Sequence, residues 1–256
     1  MKIVACIKQV PDSAAKVVAE DGQVSWGDAP LIINPWDEFA VEAALQQKEA
    51  HGGEVIAVSM GSADSKEAIK HALAMGCDSA ILVSDDALAN IDTQGTARVL
   101  AAAIQKVGDV DAVFFGRQAI DGDAGITPAQ TARVLGWPML GLAATVAVDG
   151  GKAKIERSTE EGRQIVSADL PAVLSVVKDF GEPRYPSFMG IRKASRAEIP
   201  VWTLAELGIS APSAVVAWPG LMNPPSREIV CEIIEGGSPE EISENLVDKI
   251  LAEKVL

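Results

Sequence analysis

The stretch Val110-Asp111-Ala112-Val113-Phe114-Phe115-Gly116-Arg117-Gln118-Ala119-Ile120-Asp121-Gly122-Asp123-Ala124-Gly125-Ile126-Thr127-Pro128 decides the fold. Residues 110–115 are a short, mostly apolar run, the form of a strand buried on both faces of a parallel sheet. Thr127-Pro128 caps a helix that runs to about residue 135. Between strand and helix, Gly116, Gly122 and Gly125 permit tight turns and close approach of backbone to a ligand. Thr127 and the helix start offer a hydroxyl, N–H groups and a positive dipole end, which suit a phosphate. Asp121 and Asp123 can accept from ribose hydroxyls or an amine. The same residues also fit an ordinary strand-to-helix loop. The stretch has neither the GxGxxG nor the GxxxxGK[ST] fingerprint, so the common dinucleotide and NTPase readings lack their main support.

Working outward, residues 3–7, 55–60 and 81–83 are further short apolar runs of strand type. Helices are predicted between them. One starts at Asn34-Pro35-Trp36-Asp37-Glu38, with Asn as N-cap, Pro at the first position and acids at the positive end, and stops at Gly52-Gly53. Others cover residues 65–75 and 93–107. The alternation predicts an α/β fold, a doubly wound and mostly parallel sheet of Rossmann-like type. Ligands in such sheets sit outside the carboxyl ends of the strands, here the loops after Ile7, Met60 and Phe115, joined by the Asn34-Pro35 helix start. Asp21-Gly22 is a turn signal between extended pieces at 17–19 and 23–26. Beyond Leu142 the pattern becomes a hairpin region, 143–148 and 152–157 around Asp149-Gly150-Gly151, with further extended pieces at 164–167 and 172–177. Residues 180–196 read as an irregular basic stretch. The tail is Pro-rich from Ala211 to Pro225, and Ser238-Pro239-Glu240-Glu241 caps a terminal helix with Ile242, Leu246, Ile250 and Leu251 on one side. The expected division is an α/β nucleotide-binding domain over 1–200 and a C-terminal arm over 201–256.

Composition narrows the function classes. A net charge of −14 repels phosphate backbones, and 4% aromatic residues supply few stacking platforms, so no nucleic-acid partner is expected. No apolar run reaches the roughly 20 residues that span a bilayer, so no membrane insertion is expected. Residues 1–8 go directly into a core strand and lack the sections of a signal peptide. Cys6, Cys77 and Cys231 lie far apart and form no CxxC pair, which suits buried reduced thiols and a cytoplasmic protein. His51 and His71 have no metal-ligand spacing, so no metal is expected. No nucleophile-and-base arrangement stands out, and Glu156, Glu160 and Glu161 read as a solvated hairpin edge. Residues 184–196 mix Arg184, Arg192, Lys193 and Arg196 with Tyr185, Phe188, Met189 and Ile191. That mixture fits either a partner-docking loop or a segment tucked into the core.

Four stretches resemble the electron-transfer flavoprotein β-subunit family. They are the opening Met1-Lys2-Ile3-Val4-Ala5-Cys6-Ile7-Lys8-Gln9-Val10-Pro11-Asp12, then Ile33-Asn34-Pro35-Trp36-Asp37-Glu38-Phe39-Ala40-Val41-Glu42, then Gly116 to Asp123. The last is Ile155-Glu156-Arg157 with Glu160-Glu161-Gly162-Arg163-Gln164 and Pro171-Ala172-Val173-Leu174-Ser175. The resemblance implies an adenine nucleotide α-hydrolase-like fold and a heterodimer with an α subunit that holds most of a shared FAD. It implies a second nucleotide in this chain, AMP or a second FAD. The matching positions are Cys6, Asn34, Pro35, Trp36, Asp37, Met60 and the loop Gly116, Arg117, Gln118, Ala119, Ile120, Asp121, Gly122, Asp123, Ala124, Gly125, Ile126 and Thr127. Val10, Pro11, Asp12 and Ser13 are implied to approach the shared flavin. Residues 182–193 match the partner-recognition loop, with Arg184, Tyr185, Met189 and Ile191 around an apolar anchor at Phe188 for dehydrogenase redox partners.

The chain departs from the family where Ala124-Gly125-Ile126 replaces a Thr and a Gln that help hold phosphates, and where Pro128 replaces a usual Gly. AMP and a second FAD therefore both stay open. The resemblance implies an electron carrier rather than an enzyme with its own acid–base chemistry, since the cofactor carries the redox step. The alternative reading is an adenine-nucleotide-binding regulatory module of the stress-protein type. A stand-alone NAD-dependent dehydrogenase is weaker, for want of a GxGxxG and a general base.

Overall fold

The computed structural model describes residues 1–20, 22–62, 65–217, 220–226 and 231–254. Two compact units divide the chain, Met1–Leu221 and Met222–Leu256. The first unit opens with β1 (Lys2–Ile7), β2 (Gln9–Pro11), β3 (Val18–Glu20), β4 (Gln23–Ser25), β5 (Leu31–Ile33), α1 (Pro35–His51), β6 (Glu54–Met60), α2 (Lys66–Met75) and β7 (Ser79–Val83). It continues with α3 (Thr93–Val107), β8 (Ala112–Gly116), α4 (Thr127–Leu135), β9 (Met139–Asp149), β10 (Lys152–Thr159), β11 (Gly162–Asp169) and β12 (Ala172–Val176). It closes with α5 (Phe188–Ala194), β13 (Val201–Trp202) and α6 (Leu204–Leu207), and the second unit carries α7 (Pro239–Ala252).

One large sheet runs β11-β10-β9-β12-β8-β1-β6-β7-β13. Pairing is parallel from β9 through to β13, and antiparallel only where β10 joins β9 and β11. The doubly wound sheet and its hairpin region are therefore as expected from the sequence. Period-2 alternation splits β1 between two cores. Ile3, Ala5 and Ile7 face a cluster with Val41, Ala44 and Ile69 of α1 and α2. Val4 and Cys6 face a second cluster with Val99, Leu100 and Ile104 of α3 and Ala132 of α4. The chain builds from β1 through β6 to β7, then crosses back to set β8 on the other side of β1. That reversal opens a crevice at the carboxyl ends of β1 and β8.

Several boundaries differ from the sequence reading. Thr127 is the first helical residue of α4, and the N-cap position falls on Ile126, whose side chain makes no cap hydrogen bond. Residues 180–196 are not wholly irregular, because α5 forms there, capped by Ser187 Oγ accepting from Gly190 N at 2.9 Å. β13 and α6 were not expected. β13 adds an edge to the main sheet, so the first unit continues past residue 200. β3 and β4 pair as expected, though Asp21 of their turn lies outside the described residues. In the second unit, Ser238 caps α7 through Glu241 N at 3.3 Å, and Ile242, Leu246, Val247 and Leu251 of that helix are all exposed by more than a third.

Candidate functional site

The crevice between β1 and β8 holds a cavity of about 330 Å³. Its floor is Cys6, Ile7 and Lys8 from the end of β1, Asp37 of α1, and Phe115 and Gly116 from the end of β8. Met60 comes from the end of β6. One wall is the loop 118–125 with Thr127 and Pro128 of α4, and the other is Leu88, Ile91, Asp92 and the start of α3 with Thr93, Thr96 and Leu100. The α3 side mixes apolar Leu88, Ile91 and Leu100 with polar Asp92, Thr93 and Thr96, while the loop side carries Gln118, Asp121, Asp123 and Thr127. Its size lies at the low end of the roughly 300–1,000 Å³ of small-molecule sites.

Asn34 and Asp37 build this floor from the first turn of α1. Asn34 is buried, and its side chain does not cap its own helix. Its Nδ2 donates to the Gln118 carbonyl at 2.8 Å, and its Oδ1 accepts from Ile120 N at 3.2 Å. It therefore ties the loop after β8 to α1. Asp37 Oδ2 accepts from Lys8 N at 2.7 Å, and the carboxyl also accepts from Gly116 N. Those are the amides at which β1 and β8 leave the sheet. Burial raises the Asp37 carboxyl to about 7, against the opposing hydrogen bonds from Asn34, Lys8 and Gly116. Burial first, and Asp37 second, push the Cys6 thiol well up, so Cys6 is wall rather than nucleophile.

Glycine is required where α1 meets β8. A Cβ on Gly116 would stand 2.5 Å from Asp37 Oδ1 and 2.6 Å from the Trp36 carbonyl carbon and oxygen. Gly122 is the opposite case: a Cβ there would meet nothing within 4 Å, because it would project into open space. The loop holds its own shape. Asp123 N donates to the Ala119 carbonyl at 2.9 Å, Gln118 Nε2 donates to Asp123 Oδ1, and Asp123 keeps a left-handed φ of 52°. A non-glycine residue in that region marks strain that the surroundings hold in place. Lys8 Nζ reaches Asp121 Oδ2 at 2.6 Å, so a cation bridges the β1 end to the loop.

Of the sequence-derived positions, Cys6, Asp37, Met60, Gly116, Gln118, Ala119, Asp121, Gly122, Asp123, Ala124, Gly125 and Thr127 line the cavity. Asn34 and Ile120 act behind the lining through their hydrogen bond, while Pro35, Trp36 and Ile126 lie outside it. Arg117 is exposed and stacks over the Trp36 ring at 5.6 Å. Val10, Pro11, Asp12 and Ser13 do not join the cavity. Val10 is fully buried in β2, and Asp12 Oδ1 is used by Ala14 N at 2.8 Å. The α3 wall was missed. Its signal is positional: the loop after β7 lies at the same sheet edge as the loops after β1, β6 and β8.

The segment 184–194 forms a second feature on a different face of the α/β unit. Tyr185, Phe188, Met189 and Ile191 are 92%, 81%, 68% and 53% exposed. Inward, α5 presents small residues. Ala194 is buried, and a Cβ on Gly190 would lie 2.2 Å from the Ala74 carbonyl oxygen of α2. Arg184 does not extend into solvent as a free cation. Its Nε donates to Glu42 Oε2 at 2.7 Å and its Nη1 to Glu49 Oε1 at 2.5 Å, both on α1.

A family model described as the electron transfer flavoprotein domain matches residues 24–207, from β4 to the end of α6. The chain belongs to the electron transfer flavoprotein family. It is 36% identical over 266 residues to a caffeyl-CoA reductase–Etf complex subunit of Acetobacterium woodii, with 100% of both chains covered. It is 34% identical over 273 residues to the electron transfer flavoprotein subunit beta of Megasphaera elsdenii, and 36% over 272 residues to that of Thermoanaerobacterium thermosaccharolyticum. Both are again covered in full. The family match takes in the cavity loop and α5 together. Within the flavoprotein family the chain is of the β-subunit type, whose function is electron transfer. No helix among the described residues is long and apolar enough to cross a membrane.

Proposed function

We propose that this chain pairs with an electron transfer flavoprotein α subunit, shares an FAD with it, and holds an adenine nucleotide of its own in the β1/β8 cavity. The observation that carries the second nucleotide is the cavity itself. Leu88, Ile91 and Leu100 on its α3 side suit the face of a base, its polar loop suits ribose, and the start of α4 suits phosphate. The residues fit that group: Gly122 leaves the space open, and α4 begins with no side chain capping it. Thr127 supplies a hydroxyl, and Lys8 supplies positive charge if it exchanges Asp121 for phosphate.

When bound, a flavin supplies the redox chemistry, and the protein's part is binding, orientation and exclusion of water. Asp37 and Asn34 act at one remove by fixing the ends of β1 and β8 and the loop between β8 and α4. AMP and a second FAD both present the adenine and phosphate that the cavity suits. Whether electrons divide between two acceptors therefore depends on which of them is bound. Dehydrogenases dock, in this reading, on the exposed face of α5 through Phe188, and the second unit with α7 lies on the α subunit. A cytoplasmic setting accords with free, buried thiols at Cys6 and Cys77.

The test is Gly122→Val in the chain co-expressed with its α subunit. The Cβ meets no protein atom, so the complex is expected to assemble with its shared flavin while retention of the second nucleotide falls at least tenfold. Unchanged retention would remove the cavity as its site.

A further inference from the structure

We infer that Arg184 is a positioning residue for donor docking: clamped to Glu42 and Glu49 of α1, it fixes how α5 presents Phe188. This rests on the reading above that α5 is where donors dock. The geometry is a fork on two carboxylates. Besides Nε to Glu42 and Nη1 to Glu49, Nη2 reaches Glu42 Oε1 at 3.1 Å and Glu49 Oε2 at 3.2 Å, and the Arg184 backbone N donates to Glu42 Oε2 at 3.1 Å. Charge-assisted forks of this kind hold both angle and distance. Glu42 has only 7% of its side chain exposed, so the clamp is anchored inside the protein. Burial raises the Glu42 carboxyl, but the bonds from Arg184 and Gln46 outweigh it and hold it below its ordinary value.

Two further facts make the clamp matter for docking rather than only for folding. Residues 182–187 have no helix or strand to hold them, yet they carry the 92% exposed Tyr185 and lead into the anchor. Gly190 seats the first half of α5 against α2, and buried Ala194 holds its far end. Arg184 is thus the proximal fixing point of a segment whose large side chains all face solvent. Fixing it in advance lowers the ordering cost of binding. The charge sum agrees. Arg184 sits between two carboxylates and presents no net positive field, which leaves steering of an acidic donor surface to exposed Arg192 and Lys193.

The experiment uses the full α/β complex and a flavin dehydrogenase that reduces it. Arg184→Lys keeps a charge beside Glu42 but loses the fork. The donor concentration for half-maximal reduction is expected to rise about three- to tenfold. The rate at saturating donor and the flavin content stay as in the parent complex. Amide exchange over 185–194 should quicken. The rise should persist at high salt, because a lost clamp is not screened, whereas a lost steering charge is. An unchanged half-saturation, or a rise that vanishes at high salt, overturns the inference. Should Arg184→Lys fail to assemble, Glu49→Gln removes only the exposed half of the clamp. A rise of about twofold in half-saturation then supports the inference, and no rise overturns it. Phe188→Ala separates the two readings. If it too leaves half-saturation unchanged, docking at α5 is wrong. If it raises half-saturation while the clamp variants do not, only the positioning role fails.

Discussion

The cavity and α5 solve the same packing problem in opposite directions. Each depends on a glycine that lets two elements close on one another, Gly116 between β8 and α1, and Gly190 between α5 and α2. At the cavity the closure brings polar groups inward, and Asn34 and Asp37 satisfy the N–H groups of Lys8, Gly116 and Ile120 and the Gln118 carbonyl, at the end of β1 and in the loop leaving β8. At α5 the small residues turn inward and the large apolar ones outward, the reverse of an ordinary amphipathic helix. One region is shaped to retain something small, while the other keeps an apolar surface exposed against its solvation cost. The difference separates what the protein holds from what it touches briefly.

The comparison breaks first at Gly116. A valine there would drive its Cβ into the Trp36 carbonyl and the Asp37 carboxylate, and α1 would have to move away from β8. We expect a loss of 3 kcal/mol or more, roughly the upper end for overpacking, together with loss of the cavity's nucleotide. Thermal unfolding and nucleotide content on one sample check it, and a stable variant with full occupancy would mean that the two elements are loosely joined.

Asp37 gives a pH signature confined to the cavity side. Its folded value of about 7 lies above the ordinary 3.8, so the folded state holds this proton more tightly than the unfolded chain. Stability from this group is fully present below about pH 4 and is lost as pH rises to about 7. Asp37→Asn should therefore gain on the parent protein between pH 5 and pH 8, by about 2–3 kcal/mol. A pH-independent difference between the two unfolding curves would show that the carboxyl stays charged throughout.

On the α5 side, Phe188→Ala should weaken donor binding by about 2 kcal/mol, hence at least tenfold. Melting temperature and flavin content should not move, because the side chain is 81% exposed. A destabilised variant with normal donor affinity would make Phe188 a core residue after all. Gly190→Ala should strike α5 alone: the added methyl would meet the Ala74 backbone carbonyl, so α5 must lift from α2 at a cost of about 1–3 kcal/mol. The damage should be local, seen as faster amide exchange in α5 with the cavity unaffected. Equal damage to both regions would erase the contrast.

Legibility in the sequence followed the same divide. Strands buried on both faces and a helix bounded by Asn34-Pro35 and Gly52-Gly53 are written in local residue types, which makes the sheet legible without its order. The loop after β8 announced itself through Gly116, Gly122, Gly125 and the acids beside them. Asn34 looked like a helix cap because Asn before Pro usually is one, but its partners lie 84 and 86 residues away. No local pattern encodes such a bond. The α3 wall carries ordinary residues and was legible only by its place after a strand. α5 was hidden by Pro183 and Pro186, and by the inversion that puts Gly190 and Ala194 inside. Ser187, three residues before Gly190, was the one cap signal available. Arg184 read only as one basic residue of a mixed stretch, because nothing nearby in sequence marks Glu42 and Glu49 as its partners, 142 and 135 residues distant.

The most direct measurement is the nucleotide content of this chain purified with its α subunit. The complex is denatured, and the released flavin and adenine nucleotides are separated and counted per heterodimer. We predict one FAD together with a second adenine nucleotide, either AMP or another FAD, and loss of only the second in Gly122→Val. One FAD with no further adenine nucleotide, or a second nucleotide unaffected by Gly122→Val, would contradict the assignment of the β1/β8 cavity.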